Sequence, residues 1–167
     1  MLQMGNIFVG FAFWNVVLFA VTIWLGLTHQ SLHWQHQFTG ALTGIYTCLT
    51  HCIVMMHFMG SGKGVKEAVA EYSLPNDPQT GFTRRSRKLH ARASAMATMC
   101  CLLAITVVCL GGWTDTHKAN VAAHRWHQWF AWFTVAFNLY GFRVEYSVIR
   151  AHTAIIREIN ALVQAKT

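Results

Sequence analysis

Charge is what this chain has least of. Only 11% of its 167 residues are Asp, Glu, Lys or Arg, and six are acidic; a soluble domain carries about 25% charged residues. None of those four types occurs between Met1 and Gly62, and the first is Lys63. Proline is scarce as well, with Pro75 and Pro78 alone. So apolar and ordinary a composition excludes a disordered chain and a collagen-like repeat. The five cysteines (Cys48, Cys52, Cys100, Cys101, Cys109) all lie in apolar stretches. Thiols there behave as small apolar side chains, so no disulfide framework is expected. No serine, cysteine or carboxylate constellation supports hydrolysis. The apolar stretches hold essentially no acidic residue for cation coupling, which argues against a proton- or sodium-driven transporter.

What the chain has is hydrophobicity, at 54% of residues. A membrane-crossing helix needs about 20 mostly apolar residues, and four stretches qualify: about 7–27, 38–59, 91–110 and 121–140. Backbone groups in lipid must be satisfied within their own segment, so each is expected to be helical. The first stretch has neither a basic leader nor a small-residue cleavage pattern, so it reads as a retained span rather than a signal peptide. The expected fold is an all-α, integral membrane four-helix bundle filling residues 1–145.

Cations set the expected orientation. Lys63, Lys66, Arg84, Arg85, Arg87, Lys88 and Arg92 cluster between the second and third stretches, and Arg143, Arg150, Arg157 and Lys166 follow the fourth. The opposite connections hold only Lys118 and Arg125. The positive-inside rule then puts both termini and the 61–89 connection in the cytoplasm, with the bacterial inner membrane the expected location. Trp24, Trp34, Trp113, Trp126 and Trp129 fall at the outer boundary, as an aromatic belt does. The net charge of +7 is then met by anionic lipid headgroups rather than by nucleic acid. Residues 61–89 read as a cytoplasmic loop with a short helical extension through 66–72. Residues 146–167 read as an amphipathic helix (Val148, Ile149, Ile155, Ile156, Ile159, Leu162, Val163) lying on the membrane or docking on a partner. Asn15 and Thr22 are expected to hydrogen-bond between helices, and Arg143 and Glu145 to form an interfacial ion pair. Gly60-Ser61-Gly62-Lys63-Gly64 lacks the GxxxxGK[ST] spacing of a phosphate loop and reads as a membrane exit.

Chemistry, if present, lies with the ten histidines. His29, His33, His36, His117, His124 and His127 fall near the outer face; His51, His57, His90 and His152 fall in the inner half. His51 sits roughly 10 Å inside the membrane at about 1.5 Å per residue, a depth at which an ionisable side chain marks a site by default. His36 and His51 are fifteen residues apart, which is about 60° around a helix and roughly 22 Å along it. Both therefore face one bundle interior.

In helix count and histidine layout the chain resembles the four-helix membrane cytochromes b, in which histidines on facing helices ligate haem. That resemblance implies b-type haem as cofactor, with His36 facing His124 or His127 at an outer site. For an inner site His51 lacks a partner on the fourth helix, and His90 or His57 is the nearest candidate. Gly40 and Gly44 form a small-xxx-small pair that admits a flat ring or simply a neighbouring helix. A second reading is a copper or zinc site built from His29, His33, His36, His117, His124 and His127, with Asp115 nearby. A third is a non-catalytic scaffold or homo-oligomer. The leading expectation is a haem-bearing electron-transfer subunit of a larger membrane complex, linked to quinone, whose partner subunits carry the catalytic site.

Overall fold

The structure is a computed structural model that describes residues 4–28, 33–75, 77, 81–116 and 121–166, with the side chains of residues 115 and 116 outside the description. Four helices follow one another: α1 (Met4–Thr28), α2 (His33–Glu71), α3 (Phe82–Thr116) and α4 (Val121–Gln164). Each packs on the next, and α4 closes back on α1, so α2 and α4 face each other along a diagonal. Among the described residues α1, α2 and α3 are long and apolar enough to cross a membrane. The protein is thus an all-helical membrane protein. The stretch expected over 121–140 does not reach the same standard, because His124, Arg125, His127, Gln128 and Asn138 dilute its apolar side chains.

The molecule differs from a soluble bundle in its apolar surface and in the polar groups it buries beside an apolar cluster of Phe8, Phe19, Val54, Phe58 and Phe142. Phe13, Trp14, Trp34, Phe38, Ile45 and Leu102 are exposed, whereas Asn15, Thr47, Thr50, His51, Asn138 and Glu145 are buried. Lipid is as apolar as leucine, so helices associate through close packing and interhelical hydrogen bonds rather than through a hydrophobic driving force. Asn15 Nδ2 donates to Thr50 Oγ1 (3.1 Å) and its Oδ1 accepts from Thr47 Oγ1 (2.9 Å); Thr22 and Thr43 hydroxyls meet at 2.8 Å. The expectation for Asn15 and Thr22 is met.

Close packing comes from small residues. The buried face of α3 reads Ser86, Ala93, Ala97, Cys100 and Ala104, a spacing of sevens, fours and threes that keeps one seam inward. The buried face of α4 follows the same rhythm through Thr134, Asn138, Gly141, Glu145, Val148, His152, Ile155 and Ile159. Gly40 and Gly44 serve helix packing: a Cβ on Gly40 would touch Thr22 of α1 at 3.7 Å, and one on Gly44 would lie 2.7 Å from Val108 of α3.

The basic end differs from expectation. Residues 61–89 are mostly helix, since α2 runs on to Glu71 and α3 starts at Phe82. Nothing between Gly60 and Glu71 interrupts a helix strongly, and Pro75 falls only after α2 has ended. α2 stops in a Schellman turn: Leu74 N donates to Val69 O (3.1 Å) and Ser73 N to Ala70 O (3.4 Å), with Ser73 left-handed at φ 47°. The apolar stripe of the last turns of α4 is covered by this same chain. Ile155 and Ile159 form one cluster with Val65, Val69 and Leu74. Arg85 grips Glu158 through two hydrogen bonds of 2.7 and 3.0 Å, and Lys166 Nζ caps the Tyr72 and Ser73 carbonyls at 2.8 and 3.3 Å. The Arg85 guanidinium holds the Glu158 carboxyl below its usual range.

Candidate functional site

Three sets of polar side chains bridge α2 and α4 across the bundle diagonal, one above another. At the end away from the main cluster of cations, His36 and His127 approach edge to face with ring centroids 6.5 Å apart and planes at 75°. His36 Nδ1 is fixed by the Thr22 carbonyl at 3.0 Å, which assigns the proton to Nδ1 and leaves Nε2 with its lone pair. His127 Nδ1 is buried and has no hydrogen-bond partner among the described residues. Each ring rests on a glycine. A Cβ on Gly26 of α1 would lie 2.8 Å from His36 Cε1, and one on Gly111 of α3 would lie 3.1 Å from His127 Cε1. Any larger residue at either position would push an imidazole off the axis.

The middle set is His51, Asn138 and Glu145. His51 and Glu145 side chains are both 0% exposed, with His51 Nδ1 2.8 Å from Glu145 Oε1. On the other side, Nε2 lies 3.0 Å from Asn138 Oδ1. Asn138 cannot be turned around without loss, because its Nδ2 donates to the Thr134 carbonyl at 2.8 Å. Its oxygen is therefore an acceptor, and His51 Nε2 must donate to it. One further proton then lies between Nδ1 and Oε1, and the pair stays neutral overall whichever atom holds it. That satisfies the demand that ionisable groups inside a bundle be paired. Phe142 stacks on the imidazole at 5.3 Å and 19°. Glu145 Oε2 has no partner among the described residues.

The third set lies at the basic end, with one histidine from each of three helices. His57 and His152 rings are 6.0 Å apart at 80°. Phe58 packs against His152 at 5.0 Å and parallel to His90 at 6.2 Å. His152 Nε2 meets Ser86 Oγ at 3.0 Å, while His57 Nε2 and His152 Nδ1 are buried without partners among the described residues.

Of the expected outer residues, then, His36 and His127 come together. His33 and His124 lie exposed at the same end, and His29 and His117 lie outside the described residues. Among the described residues, no group of three or more His, Cys, Asp or Glu side chains could hold an ion. His51 and His90 are not brought together, and both nitrogens of His51 are engaged by α4. Glu145 is the partner that seemed missing from α4, and the ion pair expected between Arg143 and Glu145 is replaced by the buried one. Gly26 and Gly111 carry no signal in the sequence that sets them apart from other helix glycines. The seven-residue step from Asn138 to Glu145, which puts both on one helix face, could have found that pair. Comparison with known protein families, with curated proteins and with solved structures found no match.

Proposed function

We propose that this protein is a membrane electron-transfer subunit that holds one b-type haem between His36 and His127. The supporting observation is the diagonal imidazole pair, with one ring nitrogen free on His36, one orphaned on His127, and a glycine behind each ring. His36 and His127, with ring centres 6.5 Å apart, would hold the group between their imidazoles. Glycine on the neighbouring helices lets each ring seat closely against its helix, and the Thr22 carbonyl fixes the ligating tautomer of His36. When bound, the haem supplies one-electron redox chemistry, while the protein supplies ligands and a dry setting.

The remaining parts fit this reading. α4 packs lengthwise on three apolar helices and so shares their membrane, making the fourth crossing. The positive-inside rule then directs the basic end to the cytoplasm of a bacterial inner membrane. The His51–Glu145 pair is a proton-holding group near the axis, as quinone-linked electron transfer requires. A catalytic partner subunit completes the chemistry, because the helical head offers little room for a second cofactor domain.

Visible absorption tests the proposal. Protein expressed with ample haem is expected to show a Soret band that shifts on dithionite, lost in His36→Ala and His127→Ala and retained in His51→Gln. A colourless preparation, or stoichiometric copper or zinc without haem, overturns it.

A further inference from the structure

A cavity of about 240 Å³ opens between α2 and α3 at the basic end, lined by Phe58, Met59, Gly62, Lys63, Lys66, Thr83, Ser86, Arg87 and His90. It is too small for a whole organic cofactor, whose pockets run to about 300–1,000 Å³. Its lining is divided: Phe58 and Met59 lie toward the uncharged part of the chain, and Lys63, Lys66 and Arg87 lie on the other side. Lys63 is the first charge in the sequence, so the cavity stands where the bundle leaves the hydrocarbon.

One wall is built from inside the molecule. Ser86 is 3% exposed and His152 is 0% exposed, and the two are bonded at 3.0 Å. With His152 Nδ1 buried and unpartnered among the described residues, a neutral ring keeps its single proton on Nε2 and donates it to Ser86 Oγ. An orphaned lone pair is the alternative to an orphaned N–H, which leaves a donor without an acceptor. The Ser86 hydroxyl proton is then free to point into the cavity. Gly62 keeps the space open, since a Cβ there would reach Ser86 Oγ at 3.8 Å. A buried hydroxyl donor, three cationic side chains and an apolar floor match a phosphodiester carrying acyl chains.

We propose that this cavity is a specific site for the headgroup of an anionic phospholipid, with the phosphate held by Ser86, Lys66 and Arg87. The acyl chains run along the exposed Met59 and Met56. A free phosphate would satisfy the cations but leave the apolar floor unused.

The test uses the full chain in nanodiscs of phosphatidylcholine doped with phosphatidylglycerol, followed by native mass spectrometry of the lipids retained. Wild-type protein is expected to keep phosphatidylglycerol over phosphatidylcholine by about tenfold, a difference of about 1.4 kcal/mol. Gly62→Leu fills the cavity without touching charge and is expected to abolish that preference, as is Lys66→Gln with Arg87→Gln. Lys88→Gln with Arg92→Gln removes the same charge outside the cavity and is expected to leave it intact. An unchanged melting temperature for Gly62→Leu shows that the variant folds. Equal losses in both double variants, or a preference that survives Gly62→Leu, overturn the site in favour of diffuse basic attraction. Displacement of phosphatidylglycerol by inorganic phosphate overturns the lipid assignment.

Discussion

His51 and Glu145 are worth most as a pair. Removing one partner of a buried ion pair leaves an uncompensated polar group and costs about 3–5 kcal/mol. Glu145→Leu is therefore expected to lower the melting temperature in detergent sharply. His51→Leu combined with Glu145→Leu is expected to cost clearly less than the sum of the single changes. Additive costs would show that the two groups do not share a proton. The sequence carried half of this arrangement. A histidine deep in an uncharged stretch was plain from the absence of charge before Lys63. Its partner was not, because Glu145 lies two residues from Arg143 and local proximity suggested a surface pair. The α4 seam instead turns Glu145 inward while Arg143 is exposed.

At the scale of the helices, end points carried the errors. Hydropathy marks where a chain leaves lipid, not where its helix stops, so α2 and α3 each run some turns beyond their apolar parts. Ser73 is the residue that ends α2, in a left-handed conformation that costs a non-glycine residue roughly 1–2 kcal/mol. Ser73→Gly is expected to stabilise the protein by about 1 kcal/mol, read as a higher melting temperature with unchanged helicity. The Arg85–Glu158 clamp makes the head acid-sensitive. Its carboxyl binds a proton less readily when folded than the ordinary value of 4.5. The contribution is therefore complete above that value and is lost as pH falls through the depressed one. Both side chains are nearly half exposed, so solvent screening limits the effect to below about 1 kcal/mol. Glu158→Gln is expected to destabilise the protein at neutral pH and to make no difference in strong acid, in paired melts across that range.

For the whole molecule, the bundle has two interiors of different character. Between lipid-facing side chains it mixes buried polar groups (Asn15, Thr47, Thr50, His51 and Glu145) with an apolar cluster that includes Phe8, Phe19, Val54 and Phe142. In the head it is apolar, with Val65, Val69, Leu74, Ile155 and Ile159. Three of the four expected apolar stretches and the basic asymmetry were legible because each is a property of composition along the chain. The covering of the tail stripe by α2 was not, because periodicity gives a face but no partner. Ile159→Ala is expected to cost about 2–5 kcal/mol, and to open residues 60–75 to protease while leaving the membrane part protected. Protection of that segment in the variant would mean the stripe is covered by something other than α2.

α4 joins these regions without interruption. Its 44 residues span roughly 66 Å at about 1.5 Å each, carrying His127 near one tip and the Lys166 anchor just past the other. The one rod therefore carries a member of all three cross-bundle sets, His127, Glu145 and His152. A single residue inserted along it would turn everything beyond by about 100° and throw at least one set out of register.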